Sequence, residues 1–131
     1  MCNILSMKTL EGMKAGYAIL GFAGYTLPAP FRVRGQMVEC RVPTWSGVGD
    51  LLEITRQVTL VVVQNSENGL RWVFLRGLGN VIKDPDWEDF GPLQTGGVNM
   101  GDLYELLRIE PKHMEFFDEQ KGWGFRETVD F

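Results

Sequence analysis

Two apolar runs joined by a short polar loop restrict this chain more than any other feature. The first is Val58-Thr-Leu-Val-Val-Val-Gln64 and the second is Leu70-Arg-Trp-Val-Phe-Leu-Arg-Gly-Leu-Gly-Asn-Val-Ile-Lys83, with Asn65-Ser-Glu-Asn-Gly69 between them. β-Branched and aromatic side chains favour extended backbone, and Asn68-Gly69 tolerates the positive φ of a hairpin loop. Val58, Leu60, Val62 and Gln64 share one face of the first run, and Thr59, Val61 and Val63 share the other. Both faces are largely apolar, so this strand is expected to be covered on both sides. Gly77 and Gly79 interrupt the second run; they weaken a straight strand but permit a bulge or a sharp coil. A long, bent hairpin of this kind is what a small closed barrel requires.

The flanking segments extend the pattern. Apolar residues at Ile4, Leu5, Met7, Leu10 and Met13 predict an amphipathic helix over residues 4–14, with Asn3 as a candidate N-cap and Gly16 closing it. Residues 17–23 read as a buried strand ending in a turn at Gly24. Pro28 and Pro30 keep the chain away from central sheet positions until the strand at residues 31–34. Gly35-Gln36 turns into a second alternating strand, 37–42. Thr44-Trp45-Ser46 follows, and either hydroxyl is a candidate cap for a helix running to about Arg56. Residues 84–101 form a long irregular excursion, of the kind that is often functional or poorly ordered. Strands are expected at 103–109, 113–117 and 125–129, with Pro111 breaking the first from the second. The whole predicts one domain over residues 1–131, an all-β barrel of seven or eight mostly antiparallel strands with two short helices.

Several chemistries find little support in the sequence. His113 is the only histidine, so a two-histidine metal site, and a Ser-His-Asp triad or Cys-His pair centred elsewhere, find little support, and His113 is expected to be structural or at the surface. Gly77-Leu-Gly79 lacks the third glycine and the helix of a dinucleotide fingerprint, and no phosphate-binding P-loop is present. Cys2 and Cys40 form neither a disulfide framework nor a metal motif, which fits a reducing cytoplasm. No apolar run reaches the roughly 20 residues of a membrane span, and no basic and apolar leader opens the chain. The carboxylate pairs Asp84/Asp86, Glu88/Asp89 and Asp118/Glu119 lie in predicted loops and read as solvated charge. Residues 1–80 carry eight Lys/Arg against five Asp/Glu, whereas residues 81–131 carry five against twelve. An anionic ligand is therefore sought in the first part, and the acidic second part argues against nucleic acid. Any catalysis is expected to rest on a cofactor.

The order of parts resembles the pyridoxamine 5′-phosphate oxidase-like family, the flavin-binding split barrels. The resemblance rests on Gln57-Val-Thr-Leu60, Leu75-Arg-Gly-Leu-Gly-Asn-Val-Ile82, Pro111-Lys-His-Met-Glu-Phe-Phe117 and the ending Gly122-Trp-Gly-Phe-Arg-Glu-Thr128. It implies a homodimer with FMN in two clefts between subunits and an oxidoreductase acting on a small molecule. It also implies that the flavin phosphate is held by Arg32 and Arg34 of one strand and by Arg41, Thr44 and Ser46 at the end of the next. Trp45 and Trp72 are candidates for walling the ring, or are core. Arg32 and Arg34 share one strand face and read equally well as edge-strand surface charge. Where the family pattern has Ser-Arg-Lys, this chain has Ser46-Gly47-Val48, with Asp50 nearby. The family's Arg-Gln pair on the long strand is Arg71-Trp72, and Arg126 is the one residue in the place of a substrate-phosphate ligand. FMN, a deazaflavin and haem stay open as the ring. Two further readings stand beside the flavin enzyme: a non-catalytic split-barrel ligand-binding or sensor dimer, and an unrelated β-barrel interaction domain.

Overall fold

A computed structural model of the chain describes residues 3–13, 16–90 and 96–131. Its central hairpin pairs β5 (Gln57–Ser66) with β6 (Gly69–Ile82). Around it are β1 (Tyr17–Phe22), β2 (Tyr25–Pro28), β3 (Phe31–Arg34), β4 (Met37–Pro43), β7 (Tyr104–Asp118) and β8 (Arg126–Asp130). The strand order is β2-β1-β5-β6-β7-β4-β3, every pairing is antiparallel, and β8 branches from the far half of β7. The sheet curls into a half-open barrel, as the sequence predicts.

Period-two alternation divides the strands cleanly. Leu20 of β1, Leu60 and Val62 of β5, Val73 and Leu75 of β6, Val38 and Val42 of β4, and Leu107 and Ile109 of β7 are fully buried inside the barrel. Among the described residues three short helices pack against the strands: α1 (Asn3–Glu11), α2 (Val48–Ile54) and α3 (Met100–Leu103). The sequence predicted two; α3 straddles the end of the excursion expected to be irregular and takes in Leu103, where a strand was expected to start. From α1, Met7 and Leu10 reach the core, as does Met13 just beyond it, whereas Ile4 and Leu5 are exposed, so the apolar face is narrower than the pattern suggests. Cys2, Lys14 and residues 91–95 lie outside the described residues, as does the side chain of Asn3, the candidate cap.

Two expectations fail for identifiable reasons. Pro111 does not break a strand: β7 runs through it without interruption. The pairing register with β6 shifts between Arg76 and Gly77, so that Arg76 faces His113, Gly77 faces Pro111, and Lys112 is the extra residue of a bulge. A proline at a bulge costs no ladder bond, because its missing N–H is not called for there. The Lys112 carbonyl accepts from the Phe131 N–H instead. The second failure is the cap of α2. Its N-cap is Gly47, in the left-handed region at φ 68°, with no side-chain cap. The Ser46 hydroxyl donates to Pro43 O and that of Thr44 to Leu103 O, which pins the preceding 3-10 turn (Thr44–Ser46) in place. The edge strand β2 was not expected either. Its closing residue Pro28 is tolerated because an edge needs no further donor.

Candidate functional site

The outer face of β3, β4 and the first half of β7 carries the arginines. Antiparallel register places Arg32 opposite Glu39 and Glu39 opposite Arg108, with Arg41 two residues further along β4 on the same side. Arg32 is 3% exposed and Glu39 is 0% exposed. The Arg32 Nε donates to Glu39 Oε1 at 2.8 Å, and Arg108 grips Oε2 with Nε at 2.8 Å and a terminal nitrogen at 2.7 Å. Arg34 lies 3.7 Å from the same carboxylate. Burial alone would push the Glu39 carboxyl up. The hydrogen bonds and charges of Arg32 and Arg108 outweigh it, and hold the group below its ordinary value of 4.5.

Residues 84–90 lie over this basic floor as a strap. Asp86 meets Arg34 at 2.8 Å and Arg32 at 3.6 Å, and Glu88 lies 3.8 Å from Arg34. The Glu88 backbone N–H, together with Arg34 beside it, holds the Asp86 carboxyl below its usual range. The Glu88 carbonyl accepts from the Arg32 guanidinium, whose plane sits 4.8 Å above the buried ring of Phe90. The Phe90 carbonyl receives a long contact of 3.5 Å from Arg41. Asp86 and Glu88 are therefore not the simple solvated charges that the sequence suggested. Asp118 and Glu119 are also engaged, accepting from the backbone N–H groups of Gln120 and Leu70.

Arg41 differs from its neighbours. No carboxylate pairs with it among the described residues, its guanidinium lies 4.7 Å above the Tyr104 ring, and its buried Nε has no acceptor. Tyr104 also lines an open cavity of about 500 Å³ between the strap and the start of β7, with Ile82, Lys83, Trp87 and Leu106. Glu105, the next residue, points to the other face of the sheet. Its Oε2 is buried without a donor, close to Gly49 in the first turn of α2.

The residues singled out from the sequence are thus distributed unequally. Arg32, Arg34 and Arg41 are brought together. Thr44 and Ser46 stand at the end of β4, but their hydroxyl protons are committed to backbone carbonyls. Trp45 is 81% exposed and so is not core. Trp72 is stacked on Phe117, with centroids 4.8 Å apart and planes 8° from parallel, at the far end of β7 from the arginines. Arg126 contacts Glu115 at 3.4 Å and stands apart from the basic floor. Val48, in the place of the family's lysine, is fully buried and anchors α2. A phosphate dianion does not fit at Arg32 and Arg34 while the strap lies on them, because carboxylates already occupy the guanidinium edges.

Glu39 and Arg108 were missed from the sequence, and residues 84–101 were marked only as an excursion of a kind that is often functional, without the contacts of the strap. For Glu39 a signal existed: a two-residue turn at Gly35-Gln36 sets Arg32 directly across from it. Nothing local pointed to Asp86 or Phe90, whose contacts span more than forty positions.

No protein-family model and no curated protein matches the chain. Solved structures do. General stress protein 26 from Bacillus anthracis superposes with a TM-score of 0.71 at 12% identity, over 99% of this chain and 100% of that one. A haem binding protein from Mycobacterium smegmatis gives 0.69 at 10% identity, and covers 99% of this chain but 58% of its own. A Clostridium acetobutylicum protein described as related to general stress protein 26, of the pyridoxinephosphate oxidase family, gives 0.67 at 13% identity over 98% and 93%. At such identities the likeness speaks for architecture. This chain is a split β-barrel of the kind built by pyridoxamine 5′-phosphate oxidase-like proteins.

Proposed function

We propose that this protein is a homodimeric split barrel that binds a flavin of the FMN type loosely, against the outer face of β4 and β7, and serves as an oxidoreductase for a small molecule. The observation that carries this reading is Arg41. A guanidinium with a buried, unmatched Nε, laid on an aromatic ring beside an open cavity, is poised for an anionic group. The fold supports it, since the Clostridium relative carries the name of an oxidase family and the sequence resemblance implies FMN for that family. When bound, the flavin would supply the electron transfer; the protein's part is to bind and orient it.

Arg41→Ala is the informative substitution. A charge-assisted hydrogen bond contributes about 1.5–3 kcal/mol, so FMN affinity is expected to fall by about tenfold or more. Quenching of FMN fluorescence on titration reads this directly, and unchanged affinity in the variant would remove Arg41 from the site. The double variant Arg32→Ala/Arg34→Ala is less useful, because it strips the buried Glu39 of partners and acts on stability first.

The dimer is supported by the outer face of the hairpin. Register aligns Tyr17 with Val63 and Trp72, and Ile19 with Val61 and Phe74, giving a continuous apolar surface on which Tyr17 is 78% exposed. The substitutions Tyr17→Asp and Ile19→Asp together are expected to convert a species near twice 14.8 kDa into one of 14.8 kDa in sedimentation. A wild-type chain that is monomeric at micromolar concentration would contradict the shared-cleft arrangement.

A second reading, a non-catalytic binding protein, is favoured by one observation: Arg32 and Arg34 are already neutralised by Glu39, Asp86 and Glu88. The Mycobacterium relative is named for haem, so this fold accepts other rings. Purified protein that is colourless and neither quenches added FMN nor shifts the spectrum of added haem would favour this reading over the first.

A further inference from the structure

The basic floor and the strap complement each other in charge. Arg32, Arg34, Arg41 and Arg108 stand against the single carboxylate of Glu39, and the strap Asp84-Pro-Asp-Trp-Glu-Asp-Phe90 carries four acids, of which Asp86 and Glu88 reach the arginines. Three of those arginines, the ones the sequence marked for a phosphate, are each touched by the same segment: Arg34 by Asp86 and Glu88, Arg32 by Asp86 and the Glu88 carbonyl, Arg41 by the Phe90 carbonyl. The contacts differ in permanence. Phe90 is buried beneath Arg32, whereas the Asp86 and Glu88 side chains are 54% and 77% exposed. Asp84 and Asp89, near the two ends, adopt the left-handed region at φ 48° and 71°, a conformation that short polar side chains tolerate and that turns the segment sharply onto the sheet.

We infer that the strap is an internal competitor for the anion site: Asp86 and Glu88 hold the guanidinium edges that a phosphate monoester would take, and such a ligand binds by displacing them. This regulates the site assigned above and rests on that reading for the identity of the ligand, though not for the competition itself. Two exposed carboxylates are a weak occupant in water, because surface ion pairs gain little and are screened by salt. A phosphate dianion that takes a guanidinium edge with two oxygens is a stronger one. Affinity is lowered by the fraction of molecules in which the strap is closed, which is how a conformational competitor acts.

The test is the double variant Asp86→Asn/Glu88→Gln, titrated with FMN, riboflavin and inorganic phosphate beside the wild type. Both side chains are exposed, so the variant is expected to fold, and thermal melting checks this. FMN is expected to bind about tenfold tighter to the variant, and riboflavin, which lacks the phosphate, with unchanged affinity. A gain for inorganic phosphate with no flavin binding by either protein would uphold the competition and overturn the flavin reading. An equal gain for FMN and riboflavin, or no gain for any of the three probes, would overturn the competition. Hydrogen exchange of the wild-type chain supplies a second measurement that requires no substitution: saturating phosphate is expected to speed exchange of the Glu88 and Phe90 amides, and unchanged rates count against displacement.

Discussion

Replacing Glu39 with alanine is expected to destabilise the protein by about 3–5 kcal/mol, the range found when one member of a buried ion pair is removed. The reason lies in what remains. Arg32 is 3% exposed, and without Glu39 its charge is left with Asp86 at 3.6 Å and the Glu88 carbonyl. Arg108 loses both of its contacts as well. Urea denaturation of Glu39→Ala beside the wild type measures the difference, and a loss below about 1 kcal/mol would show that water reaches Arg32 freely. The same site gives stability an acid limb. The folded-state carboxyl of Glu39 is held below its ordinary 4.5, so its contribution is present above that value and is lost as pH falls through the lowered one. Denaturant midpoints of the wild type are expected to drop below about pH 4.5, and those of Glu39→Ala to drop less steeply.

The second large effect belongs to Gly77. A Cβ built there would sit 2.3 Å from the Glu110 carbonyl oxygen and 2.8 Å from Ile109 Cγ2. The nearer obstacle is backbone of the neighbouring strand, which cannot turn aside as a side-chain tip can. Gly77→Ala is therefore expected at or above the upper end of overpacking, about 3 kcal/mol, and to open the bulge opposite Pro111. Gly101→Ala is the control, since nothing lies within 4 Å of its Cβ position and its φ is ordinary; it is expected within about 0.5 kcal/mol of the wild type. Equal melting temperatures for the two variants would mean that β6 and β7 can separate at the bulge without cost. Gly77 is one of the two glycines that the sequence marked as breaks in the long strand. The register shift falls beside it, while Gly79 instead gives room to Leu107 and Val58.

The two substitutions act on different parts of one design. Gly77 lets a long strand bend so that the barrel closes inward. Glu39 lets the outer face of that barrel hold a dense group of arginines. Without the first there is no curved floor, and without the second the floor repels itself. The arginine floor of this face therefore depends on Glu39 at its centre.

What the sequence determined by itself is the barrel. The apolar runs of β1 and β5, alternation in β4, the Gly35-Gln36 turn, and the glycines of β6 are local signals, each acting over a few residues, and together they admit few arrangements other than a curled antiparallel sheet. Pro111 misled for the same reason: read locally it ends a strand, and only the partner strand reveals that it stands at a bulge. The site was legible in part. The presence of Arg32, Arg34 and Arg41 on one face follows from period two and hairpin register. Their electrostatic state does not, because it is decided by a strap that meets them from more than forty positions away and by an arginine on β7. Charge interactions depend on distance in space, and along this chain that distance is not fixed until the sheet has closed.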